Sequence, residues 1–220
     1  MSDDPETARQ IALLAQDDRP LLVLDVDDVL IEFLVPLPKF LKTQGFELRL
    51  ENWRMTGNIY DLATGIVADQ TRVSTLIDGF YAAQADWQTD VDGALSALAS
   101  LSHSVEIVML TAMPHRHHAV RRGHLDRLGF SYPLITTEMP KGPAISRLRG
   151  ASGRRVAFVD DQPRNLASAL DHVADLHAFH LMADNSARRL LPPLPAQATV
   201  LEDWNDAATT IASALGVRNS

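Results

Sequence analysis

The sequence contains no cysteine, which excludes disulfides and thiolate chemistry. It has no apolar run long enough to span a bilayer. Its first ten residues, MSDDPETARQ, lack the basic start and apolar stretch of a secretory signal, so a cytoplasmic location is expected. Positive charge is also in short supply. Twenty Lys and Arg stand against 28 Asp and Glu, for a formal net charge of -8. Such a surface repels a phosphate backbone, so neither a nucleic-acid polymer nor a membrane is an expected partner. A small phosphate ester remains compatible, because a local pocket can be positive on an acidic protein. There is no internal repeat and no low-complexity tract.

What is present is 220 residues, 46% of them hydrophobic, enough for a substantial core. Leu21–Leu24 (LLVL) is a continuous apolar run that stops abruptly at Asp25. A run of that kind suits a strand buried on both faces of a parallel sheet. Residues 105–110 (VEIVML) stop in the same way at Thr111, and residues 156–159 (VAFV) stop at Asp160. Weaker strands are expected over 133–136 and 176–182. Helical patterns separate these runs, over 7–16, 92–101, 115–128, 143–149, 163–173 and 203–215. Gly129 is the expected stop of one helix, and Pro163 the expected first residue of another. Strands alternating with helices predict an α/β fold, a Rossmann-like, mostly parallel sheet flanked by helices.

One stretch breaks the alternation. About eighty residues separate Asp25 from the next clear strand, too many for a single crossover. Helices are expected over 38–44 and 71–85. We read residues 35–89 as a small, mostly α-helical insertion over the carboxyl edge of the sheet. Residues 1–34 and 90–220 then form the core.

In open α/β sheets, ligands bind outside the carboxyl ends of the strands. There the sequence places Asp25, Asp27 and Asp28 after the first strand and Thr111 after the second. Asp160, Asp161 and nearby Asn165 follow the fourth, and Lys141 opens the helix before it. Carboxylates gathered on one edge repel each other unless a hard divalent cation sits among them, and Mg²⁺ is the expected ion.

These residues, in this order, resemble the four motifs of the haloacid dehalogenase-like superfamily. LLVLDVDDVL resembles the first and IVMLTA the second. Lys141 in PKGPAI resembles the third, and VAFVDDQPRN the fourth. The resemblance spans residues 21–170, with the insertion outside the motifs. It implies a Mg²⁺-dependent phosphomonoester hydrolase with an aspartyl-phosphate intermediate. Asp25 would be the nucleophile and Asp27 the acid and base. Thr111, with the backbone after it at Ala112, and Lys141 would hold the phosphoryl group. Asp25, Asp27 through its carbonyl, Asp161 and Asp160 would surround the metal, Asp160 through water or as support, with Asn165 behind them.

Asp27 discriminates within the superfamily. Its dehalogenases lack an acid there and its ion pumps carry Lys, so Asp27 favours phosphate ester chemistry. Two departures stand out: Asp28 where Gly is common, and Ala112 where Ser or Asn is frequent. His115, His117, His118 and His124 run beside Arg116, Arg121 and Arg122. His117 and His124 share a helical face, but no carboxylate at ligand spacing completes a zinc site, so a solvated basic face is expected. In the insertion, Tyr60, Phe80, Tyr81 and Trp87 read as a small core. Trp53 and Arg54, in a polar loop, are the candidates for substrate contact, and stacking on a base would suit a 5′-nucleotidase. The other readings are a catalytically weak binding or regulatory protein of the same fold, and a phosphotransferase.

Overall fold

The computed structural model describes residues 4–15 and 17–217. Its main sheet has six strands, all parallel: β1 (Leu21–Leu24), β4 (Glu106–Thr111), β5 (Leu134–Thr136), β6 (Val156–Asp160), β7 (His177–His180) and β8 (Thr199–Val200). Their spatial order is β5-β4-β1-β6-β7-β8. Side chains alternate across a pleated strand, and β1 shows the result. Leu22 and Leu24 join one apolar cluster with Ala97 and Leu98 of α5 (Ala94–Leu101) and Ile211 of α9 (Trp204–Leu215). Leu21 and Val23 join the other, with Ile145 and Leu148 of α7 (Lys141–Arg149) and Leu166 of α8 (Pro163–His172). All four residues of β1 are buried, as a continuous apolar run requires.

Helix boundaries follow local chemistry. In α1 (Pro5–Ala12), Asp4 caps the first turn by accepting from the Thr7 N–H at 3.1 Å. This helix is shorter than the 7–16 span expected, and Gln16 lies outside the described residues. The expected 115–128 helix is a single 3₁₀ turn, His115–His117, running into α6 (His118–Leu128), which Gly129 ends at φ 98°. Asp203 caps α9, and Trp204 donates its indole N–H to the Val29 carbonyl at 2.8 Å. The last helix is thereby tied to the turn that follows β1.

The insertion contains α2 (Leu37–Thr43), α3 (Gln70–Ala82) and α4 (Gln84–Trp87), together with a two-stranded antiparallel sheet of β2 (Phe46–Leu48) and β3 (Ile59–Asp61). That small sheet was not expected, because three-residue strands are too short to show a period of two. The segment has an apolar cluster of its own, in which the Phe80 ring lies 5.3 Å from both Phe33 and Phe40. The chain leaves and returns side by side: Glu32 N–H donates to Thr89 O and Val91 N–H to Leu30 O, each at 2.9 Å.

Asp28 starts this departure at φ 56°, a left-handed conformation that favours Gly but that Asp tolerates. Its carboxylate accepts from the N–H groups of Phe33 at 2.8 Å and Leu34 at 3.1 Å. Asp here supplies a cap for the outgoing strand that Gly could not. Asp28→Ala should destabilise the fold by about 2 kcal/mol, from lost hydrogen bonds plus a strained φ. Asp28→Gly should cost less, since only the hydrogen bonds are lost. Urea denaturation of both variants measures the difference; equal losses would show that backbone strain contributes nothing.

Candidate active site

Three chain segments meet at the carboxyl edge of the sheet. Asp25 follows β1 directly, and its N–H continues the ladder to Val159 O at 2.9 Å. Asp160 ends β6, and Asp161 follows it. Lys141 is the first residue of α7 and is fully buried. Its Nζ lies 2.6 Å from Asp25 Oδ1 and 2.6 Å from Asp160 Oδ2, one ammonium bridging two carboxylates. Asp160 is further satisfied by the Gln162 N–H at 2.7 Å and Asn165 Nδ2 at 3.0 Å.

Ligand oxygens of Asp25, Asp160 and Asp161 all lie within 4.8 Å of one another, and all three residues are buried. Burial pushes Asp25 up to about 7, with Lys141 opposing the shift and Asp160 and Asp27 adding to it. Burial also pushes Asp161 well above the usual carboxylate range, with Asp160 and Asp25 reinforcing it. Carboxylates that burial and mutual repulsion disfavour as anions fit a hard cation, which favours the charged forms. Asp160 already has several donors; Asp161 has one, Gln162 Nε2 at 2.5 Å, and is the freer ligand.

A cavity of about 780 Å³ opens above this edge. Asp25, Asp27, Thr111, Ala112, Asp161, Trp53 and Arg54 all line it, so the structure brings these sequence-derived candidates together. Thr111 ends β4, and its hydroxyl is buried without a hydrogen-bond partner among the described residues. It does not cap the following turn, which begins at Pro114 without a side-chain cap. Lys141 and Asp160 lie behind Asp25 rather than in the wall.

Five aromatic residues of the insertion divide as follows. Phe80 packs in the insertion's own core, with Trp87 against the same cluster. Tyr60 lies under the Arg49 guanidinium, 4.5 Å from ring centre to charge. Tyr81, expected in the core, instead also reaches the cavity wall. Trp53 reaches the core, donating its indole N–H to Gln162 Oε1 at 2.5 Å.

The expected solvated basic face of residues 115–128 requires correction. Arg121 is fully buried, and His117 and His124 are buried too. Arg121 Nη1 and Nη2 meet Asp27 Oδ1 at 2.8 Å and Oδ2 at 3.2 Å, a two-pronged pair. Gln88 Nε2 adds a third donor to the Asp27 carboxylate, 3.0 Å from Oδ1, and also reaches Glu32 O at 2.9 Å. The sequence reading missed both residues. His124, pushed down by burial and then by Arg121, sits beside this pair. His117 Nε2 lies 2.5 Å from Asp78 of α3, which also pairs with Arg116.

Arg121→Gln should destabilise the protein by about 3 kcal/mol, because it leaves Asp27 without its buried counter-charge. Arg121→Lys should recover only part of this, lacking the fork. Chemical denaturation reads both, and an unchanged midpoint for Arg121→Gln would contradict the pairing. For the acidic cluster, millimolar divalent cation should raise the melting temperature, with Asp161→Asn losing most of the rise. A calorimetric scan with and without chelator checks it; an equal rise in the variant would place the ion elsewhere.

No protein-family model matches the sequence, and no curated protein matches it. Solved structures do match. A haloacid dehalogenase-family hydrolase from Deinococcus radiodurans, with bound phosphate and sodium, superposes with a TM-score of 0.62 at 17% identity, over 92% of this chain and 99% of that one. A haloacid dehalogenase-like protein from Agrobacterium tumefaciens gives 0.61 at 16% identity, over 89% and 98%. A predicted phosphatase from Clostridium acetobutylicum gives 0.59 at 13% identity, over 90% and 100%. At such identities the likeness is one of fold. No helix among the described residues is long and apolar enough to cross a membrane. The chain therefore has the haloacid dehalogenase-like fold that its four motifs implied.

Proposed function

We propose that the protein is a Mg²⁺-dependent phosphomonoester hydrolase that works through an aspartyl-phosphate on Asp25. One observation carries the reading. Asp25 stands on the floor of a cavity, 2.6 Å from a buried lysine, and the same wall holds the Thr111 hydroxyl, unpartnered among the described residues, and the Asp161 carboxylate. A nucleophile, a phosphate-oxygen donor and a cation ligand are thereby assembled around one space.

In this reading, an Asp25 oxygen attacks phosphorus and the bond to the leaving oxygen breaks. Asp27 gives that oxygen its proton. Asp27 Oδ2 suits this role, since it has one donor at 3.2 Å whereas Oδ1 has two closer ones. Asp27 then takes a proton from water, which attacks phosphorus and breaks the bond to Asp25, releasing phosphate. The Thr111 hydroxyl and the backbone at Ala112 hold phosphoryl oxygens. Lys141 holds Asp25 in place and offsets its charge from behind. The bound Mg²⁺, among Asp25, Asp161 and the Asp27 carbonyl with Asp160 and Asn165 in support, would offset charge on the phosphoryl oxygens.

Residues 35–89 would act as a cap over the core of 1–34 and 90–220. Their separate apolar cluster, the paired linkers and the Asp78 contacts to Arg116 and His117 support that division. Such a cap excludes water while the ester is cleaved.

Phosphate release from a panel of nucleoside, sugar and carboxylic-acid monophosphates tests the proposal. Turnover should require Mg²⁺, and Asp25→Asn should lower it by at least about a thousandfold, as loss of a nucleophile does. Turnover that survives Asp25→Asn would rule out the covalent route.

A further inference from the structure

Most acids around the cavity are matched by a neighbouring group, and two charged residues in its wall stand without any partner among the described residues. Among the acids in its wall, Asp25 meets Lys141, and Asp27 meets Arg121. Asp78 meets Arg116 and His117, and Asp28 is satisfied by backbone N–H groups. Asp161 belongs to the cation site. The two without a partner are basic. Arg54 and Arg164 both line the cavity, yet neither guanidinium has a hydrogen bond or ion pair among the described residues.

The chain around each is held, and both side chains are exposed. Arg54 lies in the insertion loop, where buried Asn58 donates from Nδ2 to the Arg54 carbonyl at 2.6 Å and to the Asn52 carbonyl at 3.1 Å. Arg164 is the second residue of α8, whose first turn carries no acid. A cation there opposes the positive end of the helix. The Trp53–Gln162 hydrogen bond of 2.5 Å joins the two segments one residue before Arg54 and two before Arg164. Two uncompensated positive charges are thus drawn to one junction between insertion and core, on a protein of net charge -8. An anion entering the cavity there meets two guanidinium groups that no acid occupies. The reacting phosphoryl group is not that anion, because in the proposed reaction it sits at Asp25 and Thr111. The cavity's roughly 780 Å³ leaves room for a larger molecule.

We propose that Arg54 and Arg164 form a second anion subsite, so that the substrate is a phosphomonoester whose leaving group carries a further carboxylate or phosphate. This rests on the phosphatase reading above.

The test compares matched pairs differing only in the distal anion: phosphoglycerate against glycerol phosphate, and a hexose bisphosphate against the hexose monophosphate. In at least one pair the wild-type protein should favour the more anionic member by about tenfold or more in kcat/KM, the scale of one charge-assisted contact. The Arg54→Gln, Arg164→Gln double variant should bring that ratio close to one. The pair that responds says whether carboxylate or phosphate is read. No preference in either pair, or a preference that survives the double substitution, overturns the subsite. If no ester is cleaved at all, the phosphatase reading has failed, and the same pairs are compared by calorimetric binding with Mg²⁺ present. Tighter binding of the anionic member, lost in the double variant, would still establish the subsite; equal or undetectable binding would refute it.

Discussion

One buried ammonium organises the carboxyl edge of the sheet. Lys141 lies between Asp25 at the end of β1 and Asp160 at the end of β6, with no exposure to solvent. Burying a lone charge costs several kcal/mol, so none of the three is tolerable without the others. The arrangement depends on how closely α7 approaches α8. At Gly142 a Cβ would stand 2.1 Å from the Ser168 carbonyl oxygen, so only glycine fits after Lys141. Glycine at this position lets α7 sit low enough for the lysine to reach between the two strands. Asn165 of α8, on the other side of the contact, then reaches Asp160 as well. The apolar runs of β1 and β6 set the register that places Asp25 and Asp160 together. The ammonium makes that placement stable, and its charge favours the anionic form of Asp25 against the burial that opposes it.

Much of this was readable in the sequence, because it resides in strand ends. An apolar run that stops at an acid gives both a buried strand and the residue at its exposed end. Two such runs, a third that ends at Thr111 and the lysine that opens a helix singled out the residues that meet at this edge. What the sequence hid depends on neighbours from elsewhere in the chain. Arg121 reads as one of several surface basics in HAVRRGHLDRL, and its burial follows only from a carboxylate ninety-four positions away that needs a partner. Gln88 carries no local signal at all. Its role comes from the side-by-side return of the chain, which puts it within reach of both Asp27 and Glu32 O. The strands β2, β3 and β8 escaped for a different reason, being two or three residues long with no period to detect.

Several of the contacts that join the insertion to the core lie at the cavity. Trp53 reaches Gln162, Asp78 reaches Arg116 and His117, and Tyr81 lies 5.5 Å beneath the Arg121 guanidinium that holds Asp27. A change in the insertion's tilt would therefore be felt at Asp27 and beside Asp161. In the proposed reaction this links the segment that recognises the ester to the groups that move its proton. Specificity would then reside where the two parts meet, and chemistry in the edge below.

The central claim is that Asp25 itself carries the phosphoryl group. Acid quenching during turnover, followed by peptide mass spectrometry, looks for that bond directly. A phosphorylated peptide spanning Asp25, labile to hydroxylamine and absent from the Asp25→Asn variant, is the expected result. A phosphoryl group found on another residue, or active turnover with no trapped phosphopeptide under any quench, would contradict it.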